Sequence, residues 1–210
     1  MKKLLLLLLF FMLTPVAHAV TYATWNPSDK GTEITLSGGN LVATHSGAVS
    51  YGGVRGTIDK STGKWYWEVT VTTAGNVTRI GAANATENIN SAHGNNSVVY
   101  AATNEGVQNG GVPWTGATYT TGDVLGFALD ADANPKTFKA YKNNALQGTF
   151  TDIAGDGNFP YLSFYSGGVA TANFGATSMT YTAPTGYNQG LYTEDAVVSP
   201  PFLPWFFWPF

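Results

Sequence analysis

The sequence of 210 residues contains no cysteine. A chain without cysteine has no disulfide bond, no thiolate ligand for a zinc site and no cysteine nucleophile. Its fold must therefore be stabilised by the hydrophobic core. A chain of roughly 150 residues already buries about two thirds of its unfolded surface, so this one is long enough to form one self-sufficient domain.

Charged residues are scarce as well, at 11% of the sequence, and the ten lysines and arginines form no cluster outside the N-terminus. Nucleic acid-binding surfaces need a basic stripe that neutralises phosphates. Without Lys2 and Lys3 the remaining chain has a formal net charge of −5, so nucleic acid is excluded as an expected partner.

Long apolar runs are confined to the N-terminus, where Lys2 and Lys3 precede the run Leu4–Leu13 and the small-residue pattern Ala17-His18-Ala19. This order is typical of a secretory signal peptide. The run is shorter than the roughly 20 residues of a membrane-spanning helix, so removal after Ala19 is favoured over a retained anchor. We expect residues 1–19 to be a signal peptide of bacterial type and the protein to be exported to the periplasm, cell surface or medium.

A helical period is also missing, because no apolar pattern between residues 20 and 190 repeats every 3.6 residues. Short alternating runs that end in Gly, Asn or Asp predict antiparallel strands instead. In "WYWEVTV" the alternation puts Trp65 and Trp67 on the apolar face, and Tyr66 and Glu68 on the opposite face. We predict that both tryptophans are in the core and that Tyr66 is exposed or covered by a loop.

About ten such runs without crossover helices predict an all-β domain, residues 20–190, with two stacked antiparallel sheets in a β-sandwich. Two hairpins are visible in the sequence. One turns over Ser37 to Asn40, and the other turns at Asn143-Asn144, where asparagine tolerates the positive φ of a two-residue turn.

Four segments, in order, resemble the SPRY domain, a β-sandwich of the concanavalin-like lectin and glucanase superfamily. They are "GKWYWEVTV" with "RIGAAN", "TGDVLGFALD", "FKAYKNNALQGTF" and "FPYLSFYSGGVATANFG". The lead-in "TWNPSDKGTEITLSGGNLVATH" resembles bacterial and phage members. Where the family commonly has Asn-Gly and a large aromatic, this chain has Asn143-Asn144 and Ala140, so Phe138 or Phe150 is expected to fill the space beside Ala140.

The resemblance implies a non-catalytic module that binds mostly proteins and peptides through variable loops at one end and side of the sandwich. The loop 104–120 contains Asn109, Trp114 and Tyr119 in a setting that we interpret as too irregular for a strand. Exposed rings there would suit a peptide anchor or a sugar face. The alternative is that Trp114 folds back and closes the end of the sandwich.

The loop 84–96 is rich in asparagine and contains His93 and Asn95, whose side chains could hydrogen-bond a peptide backbone or a carbohydrate. A solvated turn without a binding role is the alternative interpretation.

Metal and catalytic signals are weak. Asp130, Asp132 and Asn134 have the alternate spacing of a calcium loop, but Pro135 replaces the expected glycine and no glutamate closes the loop. Glucanases of the superfamily use paired carboxylates, and Glu68 has no such neighbour on its strand. We therefore predict no metal site, no cofactor and no enzymatic activity, with a hydrolase dependent on Glu68 as the least favoured alternative.

The segment 191–210 differs in character, because prolines at 200, 201, 204 and 209 forbid a regular helix and separate many aromatic residues. Exposed apolar patches of this size mark interaction sites. We expect the tail to dock on a partner protein or a membrane interface; packing back on the domain and a terminal sorting signal are alternatives. The docking residues would be Phe202, Trp205, Phe206, Phe207, Trp208 and Phe210.

The sequence thus predicts an exported binding module for a protein or peptide. A lectin-like carbohydrate-binding module of the cell envelope, or a phage-related surface protein, is the alternative.

Overall fold

A computed structural model describes residues 19–91, 96–108, 111–151 and 158–194. This part of the chain contains seventeen strands and no helix. The first nine strands are β1 (Val20–Tyr22), β2 (Trp25–Lys30), β3 (Ile34–Ser37), β4 (Val42–His45), β5 (Tyr51–Gly56), β6 (Lys64–Thr73), β7 (Val77–Ala83), β8 (Ser97–Ala101) and β9 (Glu105–Gln108). The others are β10 (Gly111–Thr115), β11 (Val124–Asp130), β12 (Thr137–Lys142), β13 (Ala145–Thr151), β14 (Phe159–Tyr165), β15 (Val169–Asn173), β16 (Asn188–Gln189) and β17 (Tyr192–Glu194). The described residues include no helix long and apolar enough to cross a membrane.

Two antiparallel sheets form the sandwich. The seven-stranded sheet has the order β10-β9-β8-β7-β14-β5-β2, and the eight-stranded sheet has the order β13-β12-β11-β6-β15-β4-β3. The short strand β16 belongs to the second sheet and runs parallel to β6. The predicted all-β sandwich is confirmed, with more strands than the sequence pattern suggested.

The core lies between the sheets and follows the alternation of β6. Trp67, Val69 and Val71 are fully buried there. The Trp67 ring lies 5.8 Å from that of Phe127 and 5.6 Å from that of Phe138, measured between ring centres. The core position predicted for Trp67 is confirmed. Trp65, at the end of the same face, is only partly buried, although it packs against the same cluster.

The space beside Ala140 is occupied as expected by neighbouring aromatic rings. Ala140, Phe138 and Phe150 are all fully buried, and the two phenylalanine rings lie 6.0 Å apart. The partner of Ala140 on β13 is Gly148, which Trp114 covers from the other side of the sandwich.

Both predicted hairpin turns are confirmed by backbone angles in the left-handed region. Asn143 and Asn144 have φ values of 48° and 69°, and they join Lys142 to its cross-strand partner Ala145. Asn40, in the turn between β3 and β4, has a φ of 63°. Asparagine adopts this conformation more readily than most residues, and the hairpin requires it.

The two ends of the described domain pair with each other. β1 and β17 form a separate antiparallel ribbon in which Val20 lies opposite Glu194. Leu191, just before this ribbon, is fully buried; its carbonyl oxygen accepts the N–H of Ala23, and its own N–H donates to the carbonyl oxygen of Phe174. Ordered structure therefore continues past the domain boundary predicted at residue 190.

Candidate functional site

The loop 104–120 contains two strands, so our interpretation of it as too irregular for a strand is wrong. β9 pairs with β8, and β10 pairs with β9 as the edge of the seven-stranded sheet, with Trp114 opposite Gly106. The two strands are consecutive in the chain, but the register of their pairing is interrupted between Gly111 and Trp114. A glycine-rich strand with such a bulge has no clear alternating pattern in its sequence.

Trp114 packs back onto the end of the sandwich. Its ring lies against the backbone of Gly106 and Gly148, where a Cβ atom on either glycine would overlap the indole. The ring centres of Tyr100 and Phe150 are each 5.2 Å from that of Trp114. The ring thus closes the gap between β9 and β13, which is the second of the two alternatives considered for this residue.

Tyr119 is buried, with 4% of its surface exposed. Its hydroxyl oxygen lies 2.8 Å from the carbonyl oxygen of Thr78 and 2.9 Å from that of Tyr100, and it donates its one proton between them. Burial raises the pKa of Tyr119 well above its ordinary value, which keeps the donor protonated. As folded here, Tyr119 offers no ring face to a ligand, and its role is to join β7 and β8 to the loop.

Three other predicted ligand contacts, His93, Asn95 and Asn109, lie outside the described residues. The same is true of the tail residues Phe202, Trp205, Phe206, Phe207, Trp208 and Phe210. Their proposed roles stay predictions.

The described part of the asparagine-rich loop, residues 84–91, crosses the outer face of the seven-stranded sheet. Arg55 on β5 donates Nη1–H to the carbonyl oxygen of Glu87 at 2.7 Å and makes a two-point ion pair with Asp29 at 2.7 and 2.8 Å. Ser163 on β14 donates its hydroxyl to the carbonyl oxygen of Ser91 at 3.2 Å. The bonds from Arg55 and Ser163 hold residues 84–91 against the sheet.

An aromatic and cationic surface lies beside this loop, on the same outer face. Tyr51 on β5 is the direct partner of Tyr165 on β14, and their ring centres are 4.7 Å apart. Arg79 on β7 lies opposite Ser163, with its guanidinium carbon 5.7 Å from the centre of the Tyr51 ring. We call Tyr51, Arg79 and Tyr165, all three partly exposed, the Tyr51–Arg79 surface.

Sequence reasoning missed this surface, because its residues come from three strands that are separated in the chain. One signal was available. In "VTRIGAAN" the alternation that buries Ile80 directs Arg79 outward, and the two tyrosines likewise alternate with core residues on β5 and β14.

Tyr66, which we expected to be exposed or covered by a loop, is covered. It is 2% exposed and packs with Ala183, next to Met179 and Tyr187. Glu68 is also buried, and its carboxylate accepts hydrogen bonds from the Tyr66 hydroxyl and from two backbone N–H groups of the covering segment. Burial and the neighbouring Glu68 raise the pKa of Tyr66. A carboxylate engaged in this way stabilises the fold and has no access to a substrate.

The segment with calcium-loop spacing forms a turn stabilised by its own acidic residues. Asp130 pairs with Lys64 Nζ at 2.8 Å, and Asp132 accepts the backbone N–H of Gly63 at 2.7 Å. Burial acts to raise the pKa of Asp130, but the bonds from Lys64 and from the Ala133 N–H outweigh it, so the pKa lies below its ordinary value. The described residues contain no group of three or more His, Cys, Asp or Glu that could hold a metal ion.

Comparison with known proteins agrees with this architecture. A family model of the SPRY domain matches residues 64–177, more than half of the chain. The SPRY domain of human HERC1 is similar in structure, with a TM-score of 0.64, 20% identity, and coverage of 73% of this chain and 99% of that chain.

Two further solved structures are similar. For the TRIM65 PSpry domain the TM-score is 0.58 at 17% identity, with 73% of this chain and 90% of that chain covered. For stonustoxin the TM-score is 0.59 at 18% identity, with 73% of this chain and 27% of that chain covered. At these identities the likeness shows the fold alone. A search of curated proteins found no match. On the strength of the family match, the chain belongs to the SPRY domain family.

Proposed function

We propose that this protein is an exported, non-catalytic module that binds a protein or peptide ligand through the loops of its sandwich and the adjacent Tyr51–Arg79 surface. The observation that carries the proposal is the SPRY match over residues 64–177, because SPRY domains are protein-interaction modules. Binding needs no chemical step, and the burial of Glu68 is consistent with that.

The fixed loop supports the proposal, because a surface that is ordered in advance loses less conformational entropy on binding. Arg55 and Ser163 hold residues 84–91 against the sheet through backbone oxygens. Beside them, the rings of Tyr51 and Tyr165 provide contact area of the type that anchors protein interfaces.

A protein ligand is favoured over a glycan, because the rings first considered as a sugar platform are occupied in the fold. Trp114 covers two glycines and Tyr119 is in the core. The described residues of the loop 104–120 therefore offer no exposed tryptophan to a sugar, and a lectin-like function is kept only as one outcome of the test below.

The test is a pull-down in which the immobilised full chain captures its ligand from envelopes of the cells that express it. Separate envelope samples are treated beforehand with proteinase or with periodate. We expect proteinase to abolish capture and periodate to leave it unchanged. The Tyr51→Ala/Tyr165→Ala double variant should capture less than wild type, whereas Leu146→Ala, an exposed side chain on β13, should capture as much. Capture that resists proteinase and is lost with periodate would show a glycan ligand and contradict the proposal.

We further propose that the aromatic tail docks on a partner or a membrane interface after export. What supports a role outside the domain is the ribbon of β1 and β17, because the domain's last strand already ends at Glu194, opposite Val20. Shortening the chain after Glu194 should reduce membrane or partner association and increase solubility. Unchanged association in cell fractionation would contradict tail docking without affecting the binding function of the loops.

A further inference from the structure

The two arginines of the domain differ in whether their guanidinium N–H groups have hydrogen-bond acceptors. Arg55 is satisfied, since its Nε and Nη2 groups donate to the carboxylate of Asp29 and its Nη1 group donates to a backbone oxygen. Arg79 has Nε and Nη1 groups that are shielded from solvent and have no hydrogen-bond partner. None of the ion pairs in the described part of the chain involves Arg79.

A guanidinium in this state is energetically unfavourable, because an arginine stays charged and its shielded N–H donors lose hydrogen bonds to water without gaining partners in the protein. The cation–π contact with the Tyr51 ring, whose centre is 5.7 Å from the guanidinium carbon, offsets only part of this cost. The acidic residue of the neighbouring loop, Glu87, does not form an ion pair with Arg79: its Oε2 accepts the backbone N–H of Asn96 at 3.1 Å, and its Oε1 is buried without a hydrogen-bond partner. Arg79 is thus a cation that has no ion-pair partner among the described residues.

We propose that Arg79 is a receptor for the carboxylate of an acidic side chain in a protein or peptide ligand. The planar guanidinium presents paired donors that match the two oxygens of a carboxylate. The Tyr51 ring and Arg79 are both partly exposed, and the ring centre lies 5.7 Å from the guanidinium carbon, so a ligand that contacts the ring is beside the guanidinium. Tyr165 then packs against the chain of the ligand beside the acidic residue.

This inference rests on the proposed function, because it assigns the ligand's chemistry at the Tyr51–Arg79 surface. It also predicts how the removal of Arg79 changes the stability of the fold. If Arg79 were a structural residue, its removal would destabilise the fold. A binding residue that is unsatisfied in the free protein has the opposite property, since replacing a shielded charge by an apolar side chain of similar length is often neutral or stabilising.

The test selects random peptides of about twelve residues, displayed on phage, with the purified full chain as bait. Selected peptides are synthesised with amidated C-termini in two versions, one with the selected sequence and one in which Asn and Gln replace Asp and Glu. The affinities of both versions are measured by calorimetry. We expect the selected peptides to be enriched in acidic residues. We expect them to bind the Arg79→Met variant about ten- to a hundredfold more weakly than the wild-type protein. Arg79→Lys should also bind more weakly, because it keeps the charge but lacks the planar fork.

Lys139→Met is the matched control, since it removes one positive charge from β12 in the other sheet. We expect it to bind acidic peptides like wild type, and we expect the melting temperature of Arg79→Met to equal or exceed that of wild type. Equal affinity of Arg79→Met and wild type, or a clear fall in its melting temperature, would overturn the inference. Selected peptides without acidic residues would overturn it while leaving the binding function intact, and the absence of any selected peptide would contradict both.

Discussion

At the scale of single residues, Glu68 connects the sandwich to a distant part of the chain. Its buried carboxylate accepts the N–H groups of Thr180 at 2.7 Å and Tyr181 at 2.8 Å, and the Tyr66 hydroxyl at 3.1 Å. Glu68→Gln replaces one acceptor oxygen by an NH2 group that faces donors. We expect the free energy of unfolding to fall by about 1–3 kcal/mol, measured by urea titration at neutral pH.

Tyr66→Phe is the control for this prediction, because it removes one of the three donors and leaves the carboxylate bound to the covering segment. A loss of about 1 kcal/mol is typical of one such bond. If Glu68→Gln is as stable as wild type, the covering segment is not held by the carboxylate. A role of Glu68 in hydrolysis, by contrast, would appear as turnover that the Gln variant loses with its stability unchanged.

At the scale of elements, the contact of Trp114 with two glycines closes the side of the sandwich where β10 and β13 are the edge strands. A Cβ atom at Gly148 would overlap the indole, although this glycine is not among those with positive φ. Gly148→Ala should therefore lower the free energy of unfolding by about 1–3 kcal/mol through overpacking. In the Trp114→Leu background the same change should cost much less, so a double-mutant cycle should give a coupling of about 1 kcal/mol or more.

Gly111→Ala is the matched control on the same edge, because its Cβ would meet only a backbone oxygen at an ordinary distance of 3.4 Å. Its effect should stay within about 0.5 kcal/mol. Equal costs of Gly148→Ala in the presence and absence of the indole would show that the ring is not held against β13.

What the sequence reveals about these elements depends on whether their cause is local. The strand β6 and the turn at Asn143 were predictable, because strand alternation and positive φ leave a signature within a few residues. β10 was not predictable, because the interruption of its register between Gly111 and Trp114 disturbs the alternation. The burial of Tyr119 was not predictable either, because its hydroxyl donates to carbonyl oxygens of the separate strands β7 and β8. For the same reason, Arg79 was unremarkable in sequence, and only the folded sheet shows its missing partner.

At the scale of the whole molecule, the domain extends beyond the region that matches the SPRY model. The match ends at residue 177, yet the following segment donates two N–H groups to Glu68, adds β16 beside β6 and buries Leu191. Burying one leucine contributes about 1.5–3 kcal/mol, and a buried carboxylate left without donors costs at least about 1–3 kcal/mol. These terms are comparable to much of the 5–15 kcal/mol that stabilises a typical domain.

A chain shortened after Thr177 should therefore lose at least about 2.5 kcal/mol of stability, or fail to unfold cooperatively, in calorimetry or urea titration. A chain shortened after Glu194 keeps the ribbon of β1 and β17 and should melt at the temperature of the full chain. If the second chain melts lower, the aromatic tail packs on the domain and stabilises it. Docking would then require the tail to leave a surface that it already covers, and the free energy of that contact would be subtracted from its affinity for a membrane or partner.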